Sequence, residues 1–375
     1  MGDLIMNGPA LRALKVSFDA KITVLTSSMA AGIVEFMPEI DEVMVYDLPW
    51  VKTTSIADSE GFIEIITKIK ERKFDAAVIF TVYSQNPLPS VMLAYLAGIP
   101  KRLAYCRENP YQLLTHWVPD KEPYTVIKHQ VRRDLELAAT VGAYTPDEEL
   151  ILKTDESIRN KLQNKLIETG INIKDPWLII HPGVSETKRG YTEDKWIAAA
   201  KKIINELGFQ VLFTGSGSEK ALTQRLQEAI GEGSYSLGGI LNLGEFITLI
   251  GIAPVVLSVN TATVHIAAAT GTPVVVLYAL TNPQHTPWKV PCKVLPFQVP
   301  VEAHSRNEVI RYVNDFFYRE PVELPCESEV FNAAKALLGL SANENNLITA
   351  VNLKECAINP LPVQIPVQNP PALTS

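Results

Sequence analysis

Several things are missing from this sequence, and each absence removes a class of function. The four cysteines, Cys106, Cys292, Cys326 and Cys356, lie far apart. No close pair suits a zinc site or a dithiol redox motif, and a reducing compartment is expected. There is no basic excess: 34 Lys and Arg stand against 41 Asp and Glu, a formal charge of -7. A broad cationic surface for a nucleic-acid backbone is therefore not expected. No apolar run reaches the roughly 18 residues of a membrane span, and Met1 to Met6 has neither the basic head nor the apolar core of a signal peptide. The expected location is cytoplasmic. The stretch from Gly215 completes only half of G-x-G-x-x-G, because Lys220 holds the last position, and no G-x-x-x-x-G-K-[ST] occurs. Nor is there an Asp-x-Asp pair to hold a divalent ion against a diphosphate. Lysine, arginine and helix termini are expected to do that work instead, with no metal.

What is present is 375 residues, 47% of them hydrophobic, enough for two or three domains with real cores. Apolar, β-branched runs alternate with amphipathic stretches, the pattern of βα units that build parallel sheets. In the first half the pattern predicts strands at 21–27, 42–47, 76–81 and 102–106, with helices near 9–17, 29–36, 60–73 and 88–97. A longer helix over 127–142 is expected to carry His129, Arg132 and Arg133 on its polar side. In the second half strands are predicted at 177–181, 210–214, 255–259 and 273–278. Helices are predicted near 192–207, 218–230, 244–252, 262–270, 306–318 and 327–339.

The expected architecture is α/β, with two doubly wound Rossmann-like domains facing across a cleft: residues 1–145, a connection around 143–155, and residues 156–340. The proline-rich segment 341–375 lacks aromatics and is expected to be disordered. The first domain is expected to lack its opening strand, since the chain starts at an expected turn, Gly2-Asp3, with a helix start expected at Pro9. A misassigned start or a truncation would account for that.

Four strand ends in the second half run into loops rich in Gly, Ser, Thr and Asn. They are His181-Pro182-Gly183 with Ser185, Thr187, Lys188 and Arg189 after it, Gly215 to Glu219, Ser258 to Thr263, and Tyr278 to Pro283. Ligands of open parallel sheets dock at the carboxyl ends of strands, and helix N-termini offer free N–H groups to phosphates. A nucleotide or nucleotide sugar is the expected ligand. Lys101, Arg102 and Arg107, near Tyr105, Tyr111, His116 and Trp117, suggest a second site for a sugar with anionic substituents.

Six of these segments occur in one order: Gly2-Asp3 with Pro9 to Lys15, His181-Pro182-Gly183 with Lys188-Arg189, Gly215 to Glu219, Ser258 to Thr261, His265 to Ala269, and Thr281-Asn282-Pro283. In that order the chain resembles the ADP-heptose:lipopolysaccharide heptosyltransferase family, glycosyltransferase family 9, over about residues 2–340. The resemblance implies a GT-B fold and an inverting, metal-independent transfer. It also implies a donor nucleotide in the second domain and a glycan or glycolipid acceptor in the first, with contact at the inner membrane face if that acceptor is lipid-linked. No cofactor is implied.

Asp3 matches the family's general base, Lys188 a lysine against the donor phosphates, and Glu219 a glutamate on the nucleotide ribose. Ser216-x-x-Glu219 reads equally well as a capping box. Asn260-Thr261-Ala262 departs from the Asp-Thr-Gly of many relatives; asparagine can still cap a helix or bond an oxygen, but it cannot act as an anion. His265, one turn after Thr261, and Thr281 complete the implied donor contacts. Two other readings remain open at this point, an epimerase-type GT-B enzyme and a non-catalytic nucleotide-sugar binder.

Overall fold

The computed structural model describes residues 1–51 and 59–339; the segment 341–375 lies outside them. The first lobe runs α1 (Gly2–Phe18), β1 (Thr23–Thr26), α2 (Ser28–Ala31), β2 (Glu42–Val45), α3 (Ser59–Glu71), β3 (Ala76–Ile79), α4 (Leu88–Leu96), β4 (Lys101–Cys106), β5 (His116–Pro119) and α5 (Gln130–Ala139). The second begins with α6 (Glu156–Glu168), β6 (Trp177–His181), α7 (Glu193–Leu207), β7 (Gln210–Phe213), α8 (Lys220–Ile230), β8 (Ser234–Ser236) and α9 (Leu243–Ile252). It continues with β9 (Val256–Val259), α10 (Ala262–Ala269), β10 (Val274–Ala279), β11 (Cys292–Phe297), α11 (Glu308–Phe317) and α12 (Glu327–Leu337).

The second lobe holds one six-stranded sheet in the order β11-β10-β9-β6-β7-β8, and every pair is parallel. Its central strands read as unbroken apolar runs because both faces are covered. Ile179, Leu212, Val256 and Val274 pack with Leu162 of α6, Ile247 of α9 and Ile266 of α10. The alternate residues Leu178, Ile180, Phe213, Leu257 and Val275 pack with Trp196 of α7, Leu226 of α8 and Phe331 of α12.

The strands of the first lobe are also parallel, but they fall into two sheets, β1-β2 and β3-β4-β5. Val24 and Val78 pack against one cluster and Leu25 and Ala77 against another, so β1 and β3 share a layer without pairing to each other. Both are only partly buried.

The expected turn at Gly2-Asp3 is instead the first turn of α1, which runs unbroken through Pro9. A proline inside a helix removes one backbone hydrogen bond. Here the helix survives because Leu4, Ile5, Met6, Ala10, Leu11, Ala13 and Leu14 are all buried against α5 and the second lobe. Four elements escape the periodicity reading. Three are strands, β5, β8 and β11: β8 is three residues long, and β5 and β11 are edge strands containing proline. The fourth is α6, mostly polar, which buries only Leu162 and Leu166; Asp155 caps it by accepting from the Ile158 amide at 3.0 Å. Arg133 is not on a polar face. It is 1% exposed and donates to Asp120 at 2.9 Å and to Glu122 at 2.6 Å, so α5 carries a buried ion-pair cluster. Among the described residues no helix is long and apolar enough to cross a membrane.

Candidate functional site

Because every strand of the large sheet is parallel, all of its carboxyl ends lie along one edge. The strand order reverses between β9 and β6, and that switch point is where the loops after two adjacent strands diverge and leave a crevice. The loop after β6 supplies His181 to Arg189, and the loop after β9 supplies Asn260 and Thr261 and opens α10. The loops after β7 (Gly215 to Glu219) and β10 (Leu280 to Pro283) flank them on either side. The four loops singled out from sequence thus belong to four consecutive strands.

Lys188 and Arg189 sit in a short turn, Thr187–Arg189, where the Lys188 ammonium pairs with Glu186 at 3.1 Å. Arg189 reaches Glu186 at 3.7 Å, while its Nε is buried with no hydrogen-bond partner among the described residues. Ser185 and Thr187 are exposed on the same loop. Thr261 begins α10 without a side-chain cap, so the first amides from Ala262 onward keep their donors free of side-chain oxygens.

Asn260 does not cap that helix. Its amide brackets the backbone of Ala279, donating to the carbonyl and accepting from the N–H, both at 3.3 Å, and so ties the ends of β9 and β10 together. Thr281 turns its hydroxyl back to the Ala279 carbonyl at 3.3 Å.

Glu219 takes the capping-box setting. Its Oε2 accepts from the Ser216 amide at 2.7 Å in a capping box, and its carboxylate fills the space beside Gly183 and Gly215. A Cβ on Gly215 would come within 2.9 Å of the Glu219 Cβ, and one on Gly183 would overlap the carboxylate itself. These two glycines are needed for close approach, whatever their backbone angles. Gly183→Ala is therefore expected to push Glu219 out of place and, on the expectation that these loops cradle a nucleoside diphosphate, to weaken ADP binding by at least about tenfold. Isothermal titration of the variant against the parent checks this.

The opposite wall of the crevice is the start of α1. A Cβ on Gly2 would stand 2.8 Å from His265 Cδ2 and 3.6 Å from Ala262 Cα, so the N-terminal ends of α1 and α10 meet. Asp3, in the first turn, points outward with a 71% exposed side chain. His265 is 5% exposed, and its Nδ1 has no partner among the described residues. Burial holds it neutral, well below the usual imidazole pKa, and His285, His129 and the chain's amino group add to the effect.

His285, which no periodicity or spacing marks, comes from the loop after β10 and approaches Asp3, Nε2 to Oδ1, at 3.7 Å. The one available signal was its place four residues after Thr281.

The basic residues proposed for the acceptor do not converge. Lys101 opens β4, at the end of the strand away from the carboxyl edge. Arg102 is 8% exposed and spends its guanidinium on the carbonyls of Leu113, at 2.6 Å, Gln112 and Ile99. Arg107 donates to the carbonyls of Glu122, at 2.7 Å, and Tyr83, and faces Asp120 at 3.6 Å. Both arginines fix the loops after β4 in place of offering a free cation.

A family model described as glycosyltransferase family 9 (heptosyltransferase) matches residues 63–308. Lipopolysaccharide heptosyltransferase 2 of Escherichia coli (strain K12) is 24% identical over 308 residues, covering 76% of this chain and 82% of that protein. Among solved structures, a family 9 glycosyl transferase from Veillonella parvula superposes with a TM-score of 0.71 at 18% identity, over 91% of this chain and 94% of that one. The ADP-heptose lps heptosyltransferase II of E. coli superposes with a TM-score of 0.67 at 20% identity, over 90% and 95%. The two-lobed fold is accordingly GT-B, and the chain belongs to glycosyltransferase family 9, the heptosyltransferases.

Proposed function

We propose that this glycosyltransferase moves a heptose-like sugar from an ADP-linked donor to a lipopolysaccharide-like or other glycan acceptor, with inversion and without a metal ion. The donor binds the second lobe, about residues 156–340, and the acceptor the first, about residues 1–145. The observation that carries this reading is the meeting of two helix N-termini at the switch point, one bearing Asp3 and the other opening above the Asn260-Thr261 loop. A helix N-terminus stabilises an anion through its free N–H groups and its dipole. The start of α10, with Lys188 and the unpartnered Nε of Arg189, suits a diphosphate as it leaves.

In the mechanism the acceptor hydroxyl attacks the anomeric carbon while Asp3 takes its proton, and the bond from that carbon to the diphosphate oxygen breaks with both electrons going to the diphosphate. Lys188, Arg189 and the α10 amides balance the charge that develops there. Glu219 holds the ribose. Ser185, Thr187 and His265 line the donor side, while Asn260 and Thr281 act by fixing the loops around it.

The acceptor's cationic contacts, first sought at Lys101, Arg102 and Arg107, have to come from other groups where those two arginines are committed to carbonyls. A lipid-linked acceptor would bring the enzyme to the inner membrane face from the cytoplasm. The test is transfer from ADP-heptose to a panel of core-truncated lipopolysaccharides, with and without a chelator. Product with an inverted anomeric centre, formed at the same rate in both conditions, is the expected result; a chelator that stops turnover removes the metal-free step.

A further inference from the structure

The loop between β10 and β11 belongs to the second lobe but is tied to the first on both sides of one residue. The Gln130 amide donates to the Gln284 carbonyl at 3.0 Å. The Gln284 side chain, fully buried, accepts from the Tyr83 amide and donates to Glu122, each at 3.2 Å. On the far side, the Nε2–H of His129 donates to the Thr286 carbonyl at 2.8 Å. His285, between these ties, is held against α1 although its own lobe lies across the crevice.

Its Nε2 stands 3.7 Å from Asp3 Oδ1 and 3.3 Å from the Asn282 side-chain nitrogen. The orientation of that amide is settled by its other end, because Asn282 Oδ1 accepts from the Gln284 amide at 2.9 Å. The Asn282 NH2 therefore faces His285 as a donor, and Nε2 must be the ring nitrogen that carries the lone pair.

We infer that His285 is the proton-accepting partner of Asp3, the group to which that carboxylate passes the proton taken from the acceptor hydroxyl. The inference rests on the reading of Asp3 as general base. In the step, the Asp3 O–H bond breaks, the Asn282 NH2 gives up its hydrogen bond to Nε2, and an Nε2–H bond forms on the His285 lone pair so released. Asp3 is left ionised and the imidazole cationic, and the imidazole then gives its proton to water.

The groups facing His285 are Asp3 from α1, Arg189 from the Thr187–Arg189 turn, His265 from α10, His129 at the start of α5 and Tyr278 from β10. Burial, supported by Arg189, lowers the His285 pKa and keeps the ring neutral, while Asp3 acts in the opposite direction.

The test compares pH profiles of kcat and kcat/KM, with ADP-heptose and core-truncated lipopolysaccharide, for the parent, Asp3→Asn and His285→Gln. Glutamine keeps an acceptor for Asn282 but has no basic nitrogen; His285→Asn serves as the second variant where the longer side chain crowds Asp3. Loss of His285 is expected to lower kcat by about tenfold or more, with the acidic limb moved to lower pH, while the Kd for ADP stays within about twofold. A parental rate in either variant, or a reduced rate with the acidic limb unmoved, overturns the relay while an inactive Asp3→Asn leaves the base standing. Turnover that survives Asp3→Asn removes the base itself, and the relay with it.

Discussion

Asp3→Asn is expected to lower the rate of sugar transfer by about 10²- to 10⁴-fold, the usual contribution of a positioned general base. Asparagine matches aspartate in size and can occupy the first turn of α1 without disturbing the buried residues behind it, Leu4, Ile5 and Met6. What it cannot do is take a proton. Donor affinity is therefore expected to remain close to the parent's, because in the proposed mechanism the diphosphate contacts Lys188, Arg189 and the start of α10 in the other lobe. Single-turnover transfer and ADP titration on one preparation separate the two quantities. An equal loss in both would mean that Asp3 supports the site's structure and does not act on the acceptor.

A second large effect concerns stability. Asp134 of α5 is 1% exposed, and its carboxylate accepts from Asn7 of α1 and Gln130, each at 2.8 Å. Burial pushes its pKa up to about 8, overcoming those hydrogen bonds and the pull of Arg133. In the unfolded chain the same group titrates near its ordinary value of 3.8. Between those two values the folded protein binds a proton that the unfolded chain does not, so stability falls as pH rises from about 4 to about 8. At about 1.4 kcal/mol per pKa unit the slope amounts to several kcal/mol over that window. Asp134→Asn keeps the shape and removes the titration, and the Asn7 and Gln130 amides can turn an oxygen toward the new NH2. The variant is expected to be more stable than the parent at pH 8 by several kcal/mol, with the difference vanishing near pH 4. Denaturant midpoints across that range give the answer, and parallel curves for the two proteins would show that Asp134 is ionised in the folded state.

How much of this was legible in the sequence depended on which physical signal a residue carried. The strands of the large sheet were readable because β9 and β10 are buried on both faces and so appear as uninterrupted apolar runs. The Gly-, Ser- and Thr-rich loops were readable because they follow those runs directly. The setting of Asp3 was not legible: Pro9 reads locally as a helix start, and only the burial of α1 against both lobes explains a helix that continues through it. The basic cluster at Lys101, Arg102 and Arg107 failed for the opposite reason. Sequence shows charge but not its partners, and two of the three guanidinium or ammonium groups are spent on backbone carbonyls. His285 depends on ties between residues more than 150 positions apart, such as His129 to Thr286, and no local pattern encodes those.

The central claim is that the loops after β6, β7, β9 and β10 form one cradle for a nucleoside diphosphate at the switch point of the large sheet. The most direct measurement is the thermal unfolding midpoint of the parent and of Gly183→Ala as ADP is added. A ligand that binds only the folded state stabilises it by about 2.7 kcal/mol at a hundred times its Kd. A saturable rise in the parent midpoint, displaced to at least about tenfold higher ADP in the glycine variant, is the result the account predicts. A flat midpoint in the parent, or the same rise in both proteins, would contradict it.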